Sequence, residues 1–172
     1  VLDAEMWGRE EETVCWLRVD AVNTGAVPRY AWFKALTSSC SGAQYPSTFE
    51  GATGFSRFGE AGRVFAIQRI DGRPMPQAEM AVLIPPGQTV TCDLLIPHQP
   101  LSAARAAKLA KQDFDEHLET CRTFWRGKLD SAASIRVPEP AIDERIRAGL
   151  LHCDIAALGR EPDGPVLATI GC

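Results

Sequence analysis

The side chains able to do acid–base, nucleophilic or metal chemistry are spread along this 172-residue chain rather than gathered into motifs. The six cysteines are Cys15, Cys40, Cys92, Cys121, Cys153 and Cys172, with no C-x-x-C pair among them. A zinc site needs ligands at short spacing in at least one pair. The only Cys/His neighbours are His152 and Cys153, and adjacent residues on a helix point in different directions. The cysteines therefore read as small buried hydrophobes, and neither a metal nor a cofactor is expected. His98, His117 and His152 are isolated from one another. A general base needs a partner within hydrogen-bond reach; His98 reads instead as a polar contact at a structural junction. No G-x-S-x-G, P-loop or G-x-G-x-x-G pattern occurs, and Gly51, Gly54, Gly59 and Gly62 read as loop glycines.

The carboxylates are more numerous but have simpler explanations. Glu10-Glu11-Glu12 is a solvated run ahead of a strand, and Asp113, Asp115 and Glu116 fall on the polar arc of a surface helix. Glu139, Asp143 and Glu144 suit the positive end of a helix dipole. No catalytic residue is expected between Val1 and Cys172. Among the aromatics, Trp7, Tyr30, Trp32 and Tyr45 lie in the β-rich half. Trp32 beside Phe33 in a strand places one ring on each face, so one is core and the other is open to contact.

The elements that position these residues change character partway along. Thr13–Val22 alternates with a period of two, Arg18 and Asp20 marking a wetter face against Leu17, Val19 and Ala21. Asn23-Thr24-Gly25 ends it as a turn. Arg29–Leu36 is a second strand, and 37–62 reads as a long loop with one short strand near Phe55. Val64–Ile70, the hairpin signal Asp71-Gly72, then Glu79–Ile84 and Thr89–Ile96 read as an antiparallel meander. In the last strand Val90, Cys92, Leu94 and Ile96 are the expected core face, with Thr89, Thr91 and Asp93 opposite.

At Ile96-Pro97-His98 the period becomes 3.6. One helix is expected with a stripe of Ala107, Phe114, Leu118, Cys121 and Trp125. Ser134–Pro140 is extended because each proline disfavours helix before it. A second helix starts near Ala141, with Ile142, Ile146, Leu150, Cys153 and Ala157 as its stripe and Gly159 as its cap.

Composition fits a globular chain: 45% hydrophobic, 23% charged and a formal net charge of −4. Interspersed charge gives no reason to expect a nucleic-acid partner, and no apolar run reaches the ~20 residues that span a bilayer. Both ends look cut, so the compartment, cytoplasmic or periplasmic, stays open.

The segment Pro86–Leu158 resembles bacterial glycoside hydrolases of the six-hairpin class. Its strand opens with Pro85-Pro86-Gly87 and ends in Ile96-Pro97-His98; a linker helix carries Phe114 and Trp125 before Leu129. The extended Ile135-Arg136-Val137-Pro138-Glu139 then leads to Ile142-Asp143-Glu144-Arg145, which opens a helix. The resemblance implies an α+β chain: an antiparallel β-sandwich of the galactose-mutarotase kind over 1–98, a linker helix and connector over 99–138, and the first helix of an (α/α)6 barrel over 139–172.

The resemblance further implies a glycan substrate handled by the parent enzyme, a β-domain that supports the barrel's active site, and paired carboxylates beyond Cys172. Such carboxylates sit about 5–5.5 Å apart for retention and about 6.5–9.5 Å apart for inversion. Trp32 and Tyr45 are the candidates for a sugar contact or for the barrel interface. The remaining barrel is one expected partner, and a second copy of the chain another, because the stripe of the last helix would otherwise stay open. The rival readings are a stand-alone carbohydrate- or protein-binding β-module and a self-contained enzyme with an unfamiliar site.

Overall fold

The computed structural model describes residues 14–40, 43–44, 46–59, 61–131, 135–155, 157–158 and 167–168. Within them the chain is mixed α+β, with antiparallel sheets and three helices. It divides into two compact units, Val1–Phe114 and Asp115–Cys172.

The first unit is built on a sheet ordered β1-β10-β7-β6-β5, made from β1 (Val14–Val22), β5 (Ser47–Glu50), β6 (Phe55–Phe58), β7 (Val64–Ile70) and β10 (Thr89–Pro97), with the short β8 (Arg73–Pro74) hairpinned onto β7. Central position explains β7: Val64 to Arg69 are all buried, so its apolar residues are continuous rather than alternating. The Asp71-Gly72 turn forms as expected, with both residues at positive φ (47° and 74°). The meander does not. After β8 the chain leaves the sheet, and β9 (Glu79–Ile84) pairs with β2 (Arg29–Lys34) in a separate two-stranded ribbon, Tyr30 opposite Leu83 and Trp32 opposite Ala81. The span 37–62, expected as mostly loop, supplies β5 and β6 and a small β3–β4 pair (Ser39–Cys40, Ala43–Gln44).

β1 presents the opposite face from the one its polarity suggests, and β10 is covered on both. In β1, Leu17 and Val19 are exposed while Trp16 and Arg18 are half-buried; in β10, Val90 and Cys92 are buried as expected, and Asp93 and Leu95 on the other face are buried too. The reason is a helix on the Trp16–Arg18 side. Helix α1 (Ala103–Leu109) is capped by Ser102, whose side chain accepts from the Arg105 N–H at 3.5 Å. Leu101, Ala106 and Leu109 close over Phe55, Val64, Ile67 and Leu95, with Val14 and Trp16 packed at the margin.

The single helix expected after Pro100 is two. α1 ends at Leu109 and α2 (Phe114–Ser131) starts after a turn, so the buried positions are Ala106 and Leu109, whereas Ala107 and Cys121 are exposed. Spacing across that break produced a stripe that no continuous helix carries.

In the second unit, α2 is a solvated helix from Asp115 onward. Glu119 faces Arg122 at 3.6 Å and Arg126 at 3.4 Å, and Phe124 meets Trp125 edge-on at 5.1 Å. The connector from 135 through Glu139 is non-helical, as expected, and α3 (Pro140–Ile155) starts at Pro140, one residue before the expected Ala141. Ile142 and Leu150 are exposed and Ile146 is half-buried. Ala157, expected on this helix, instead pairs with Ala168 in the β11–β12 bridge (Ala157–Leu158, Leu167–Ala168). Trp7, Glu10–Glu12, Tyr45 and Gly159 lie outside the described residues.

Candidate functional site

The alternation of β2 settles its two aromatic faces. Ala31 and Phe33 turn inward, half-buried, and Tyr30 and Trp32 turn outward. Trp32 keeps 73% of its surface and Tyr30 66%, and Leu83, across from Tyr30, keeps 49%. Residues two apart on a strand stand about 7 Å apart on one face. Ala81, opposite Trp32, has only a methyl to lay against the indole, so no cross-strand side chain covers that ring. The strip ends at Lys34 and Glu79, whose Nζ and Oε2 are 4.0 Å apart.

A cleft of about 350 Å³ lies between the end of β1 and β2, lined by Thr24, Gly25, Arg29, Tyr30 and Ile84 among others; by the same alternation Arg29 belongs to the inward side of β2 with Ala31. Asn23 builds this corner. Its Nδ2 donates to the Val27 carbonyl at 2.9 Å and to the Ile84 carbonyl at 2.8 Å, while its Oδ1 accepts from the Gly25 N–H at 3.0 Å. The Asn23-Thr24-Gly25 turn thus ties the main sheet to the β2–β9 ribbon, with the Asn23 amide fully used and buried.

A second cleft, of about 390 Å³, lies on the α1 side and is lined by Arg18, Arg69, Asp71, Asp93, Lys111 and Asp113 with neighbouring backbone. Three carboxylates in one cleft invite an acid–base reading, but their bonds argue for architecture. Asp93 accepts from Arg18 Nε at 2.7 Å and from Arg69 Nη2 at 2.9 Å. Arg69 Nη1 also donates to the carbonyls of Ala110 and Gln112, at 3.1 and 2.8 Å. These carbonyls follow the last turn of α1, where a cation suits the negative end of the helix. Arg18 lies 4.1 Å over the Phe114 ring, and Arg69 6.0 Å from the Trp16 ring. Asp71 Oδ1 accepts from the Thr91 N–H at 2.9 Å, and Asp113 is partnered too. The cluster is a clasp between sheet and helix; no nucleophile–base pair stands in it.

The remaining candidates are dispersed. His98 is exposed just past β10, and His117 and His152 lie on α2 and α3. Asp115 and Glu116 are exposed in the first turn of α2. Cys92 is buried on β10 and burial pushes its thiol above the ordinary range, the nearby Asp93 charge adding to the rise; Cys15, Cys121 and Cys153 are free and exposed. Among the described residues no group of three His, Cys, Asp or Glu side chains is placed to hold a metal. No helix among them is long and apolar enough to cross a membrane.

Sequence reasoning singled out Trp32 but not its continuity with Tyr30 and Leu83. The i, i+2 spacing of Tyr30 and Trp32 was the signal, and the β9 partner came only with the pairing. Comparison with protein-family models, curated proteins and solved structures finds no match to this chain.

Proposed function

We propose that this chain is a non-catalytic β-domain, with the helices that follow it, from an enzyme that processes glycans, and that its own contribution is to bind a saccharide chain on the outer face of the β2–β9 ribbon. One observation carries this reading: Trp32 and Tyr30 stand side by side, outward and uncovered, with 73% and 66% of their surfaces open. Flat aromatic faces suit the C–H faces of pyranose rings, which supply apolar contact without requiring deep enclosure. The polar pair Lys34–Glu79 at one end of the strip offers partners for hydroxyl groups. The resemblance to six-hairpin glycoside hydrolases supports the same reading. The order of elements, a β-rich unit, then helix, an extended connector and a further helix, is the order the resemblance implies, with two helices, α1 and α2, where it implies one linker helix.

The direct test is calorimetric titration of the chain with a panel of neutral and acidic oligosaccharides, repeated with Trp32→Ala. Binding that weakens at least ten-fold in the variant supports the reading. Unchanged affinity in Trp32→Ala, or no binding across the panel, overturns it. The chain alone is expected to leave aryl glycosides intact; turnover well above buffer would make it an enzyme in its own right.

A docking role for the helices is the second reading, and α3 favours it. Ile142 and Leu150 lie open on a helix with Ile146 between them, a row that further helices of a barrel would cover.

A further inference from the structure

β1 is the end strand of the main sheet, joined to β10 on one side and to no other strand among the described residues. It is nine residues long, and its register with β10 runs from Val14 opposite Pro97 to Val22 opposite Thr89 without a bulge. Proline and lysine, which commonly blunt such an edge, do not occur in it. The other end strand, β5, is four residues long and closes on Glu50. Alternation gives β1 two unlike faces. Trp16, Arg18 and Asp20 share the α1 side, where Arg18 donates to Asp93 and Asp20 accepts from the Thr91 hydroxyl. Cys15, Leu17 and Val19 share the other and are exposed, Leu17 by 48% and Val19 by 46%. Beside them on β10, Ile96 and Leu94 are only half-buried, so an apolar surface runs out to the edge of the sheet.

The residues of β1 complement themselves in one register. When two copies run antiparallel about a two-fold axis, a centre at Arg18 or at Asp20 sets like charges against each other. A centre at Val19 sets Arg18 opposite Asp20 of the second copy, and symmetry repeats the pair. On the other face the same register lays Leu17 opposite Ala21 and diagonal to Val19 of the second copy, with Trp16–Val22 overlapping throughout. From this we propose that the outer edge of β1 is a self-association surface, on which two copies of the chain join antiparallel about Val19 into one continuous sheet. Main-chain hydrogen bonds supply the attraction, and the Arg18–Asp20 pairs fix the register. The proposal is independent of the saccharide reading and of the apolar row on α3.

Sedimentation equilibrium of the 172-residue chain, from low micromolar to submillimolar concentration, tests it. A monomer–dimer equilibrium is expected, and the amides of β1 should gain protection from hydrogen exchange as concentration rises while those of β2 and α3 do not. Val19→Lys sets two ammonium groups together at the axis, and Asp20→Lys makes both charge pairs repulsive. Each should weaken dimerisation at least about ten-fold, and Ile142→Lys on α3 should leave it unchanged. Val19 and Asp20 are exposed, and an unchanged unfolding midpoint at dilute protein separates lost association from lost folding. A chain that stays monomeric across the range, or a dimer that survives Val19→Lys, overturns the proposal. A dimer lost in Ile142→Lys also overturns it, by moving the contact to α3. A dimer lost in Val19→Lys but untouched by Asp20→Lys overturns the Val19-centred register.

Discussion

Arg69 and Asp93 face each other across the β7–β10 pair, Nη2 to Oδ2 at 2.9 Å, with 9% and 3% of their side chains exposed. Removing one partner of such a buried pair leaves the other charged and uncompensated. Asp93→Ala should therefore cost about 3–5 kcal/mol in urea unfolding. Arg18→Ala removes the more exposed arm of the clasp, and screening by solvent limits its cost to about 1 kcal/mol. Joint replacement, Arg69→Met with Asp93→Leu, should recover part of the loss, because the buried Arg69 charge goes with its partner and only the more exposed Arg18 loses Asp93. A double variant as unstable as Asp93→Ala would show that the carbonyls of Ala110 and Gln112 depend on Arg69.

The corner at Asn23 predicts a second loss. Asn23→Ala strands the carbonyl of Ile84 and removes both the Val27 and Gly25 contacts, at a cost of about 2–3 kcal/mol. Denaturant melts would register it, and hydrogen exchange should locate the loosening at the end of β1 and in the β2–β9 ribbon. Asn23→Asp keeps the Gly25 contact but turns a carboxylate oxygen toward the Val27 and Ile84 carbonyls in a buried corner, so it should cost at least as much as Asn23→Ala.

Gly54 sits at φ +70°, and a Cβ there would run into the backbone carbonyl oxygen of Gln68. Gly54→Ala combines that clash with the strain of left-handed backbone, so its thermal midpoint should drop by several degrees. Gly72, also at positive φ but with open space around it, carries the strain alone. Gly72→Ala should be the milder variant.

Glu50 is an exposed carboxylate held below its ordinary value of 4.5, first by the hydrogen bond from Arg57 and then by that from Thr53. A lowered native value means that the interaction is present above pH 4.5 and is lost as the pH falls through the native value. The acid limb of stability against pH should therefore flatten slightly in Glu50→Gln. Stability near neutrality should change little, since exposed pairs contribute weakly. A large loss at neutral pH would contradict this.

Local patterning was legible before any contact was known. The β2 strand with its two-faced Trp32–Phe33 pair, the Asp71-Gly72 hairpin, the Pro140 helix start and the change of period near Pro97 all follow from residue type and spacing, because each depends on neighbours within a few positions. The same local information misplaced the helix stripe at Ala107 and Cys121, since a 3.6 period read through a turn continues on paper but not in space.

What the sequence alone determined was this alternation and punctuation, together with the scatter of its reactive side chains. Only the tertiary structure decided which face of β1 is covered and that both faces of β10 are. Arg18 and Asp93 lie on the side covered by α1 because a charge can be buried once its partner arrives from another strand, and Leu17 and Val19 are left open in exchange. Tertiary pairing also carried β9 away from β7 to β2, and so set Leu83 and the small Ala81 beside Tyr30 and Trp32. Spacing along the chain carries no record of such a partner, since the strand opposite is selected by long-range packing rather than by sequence distance.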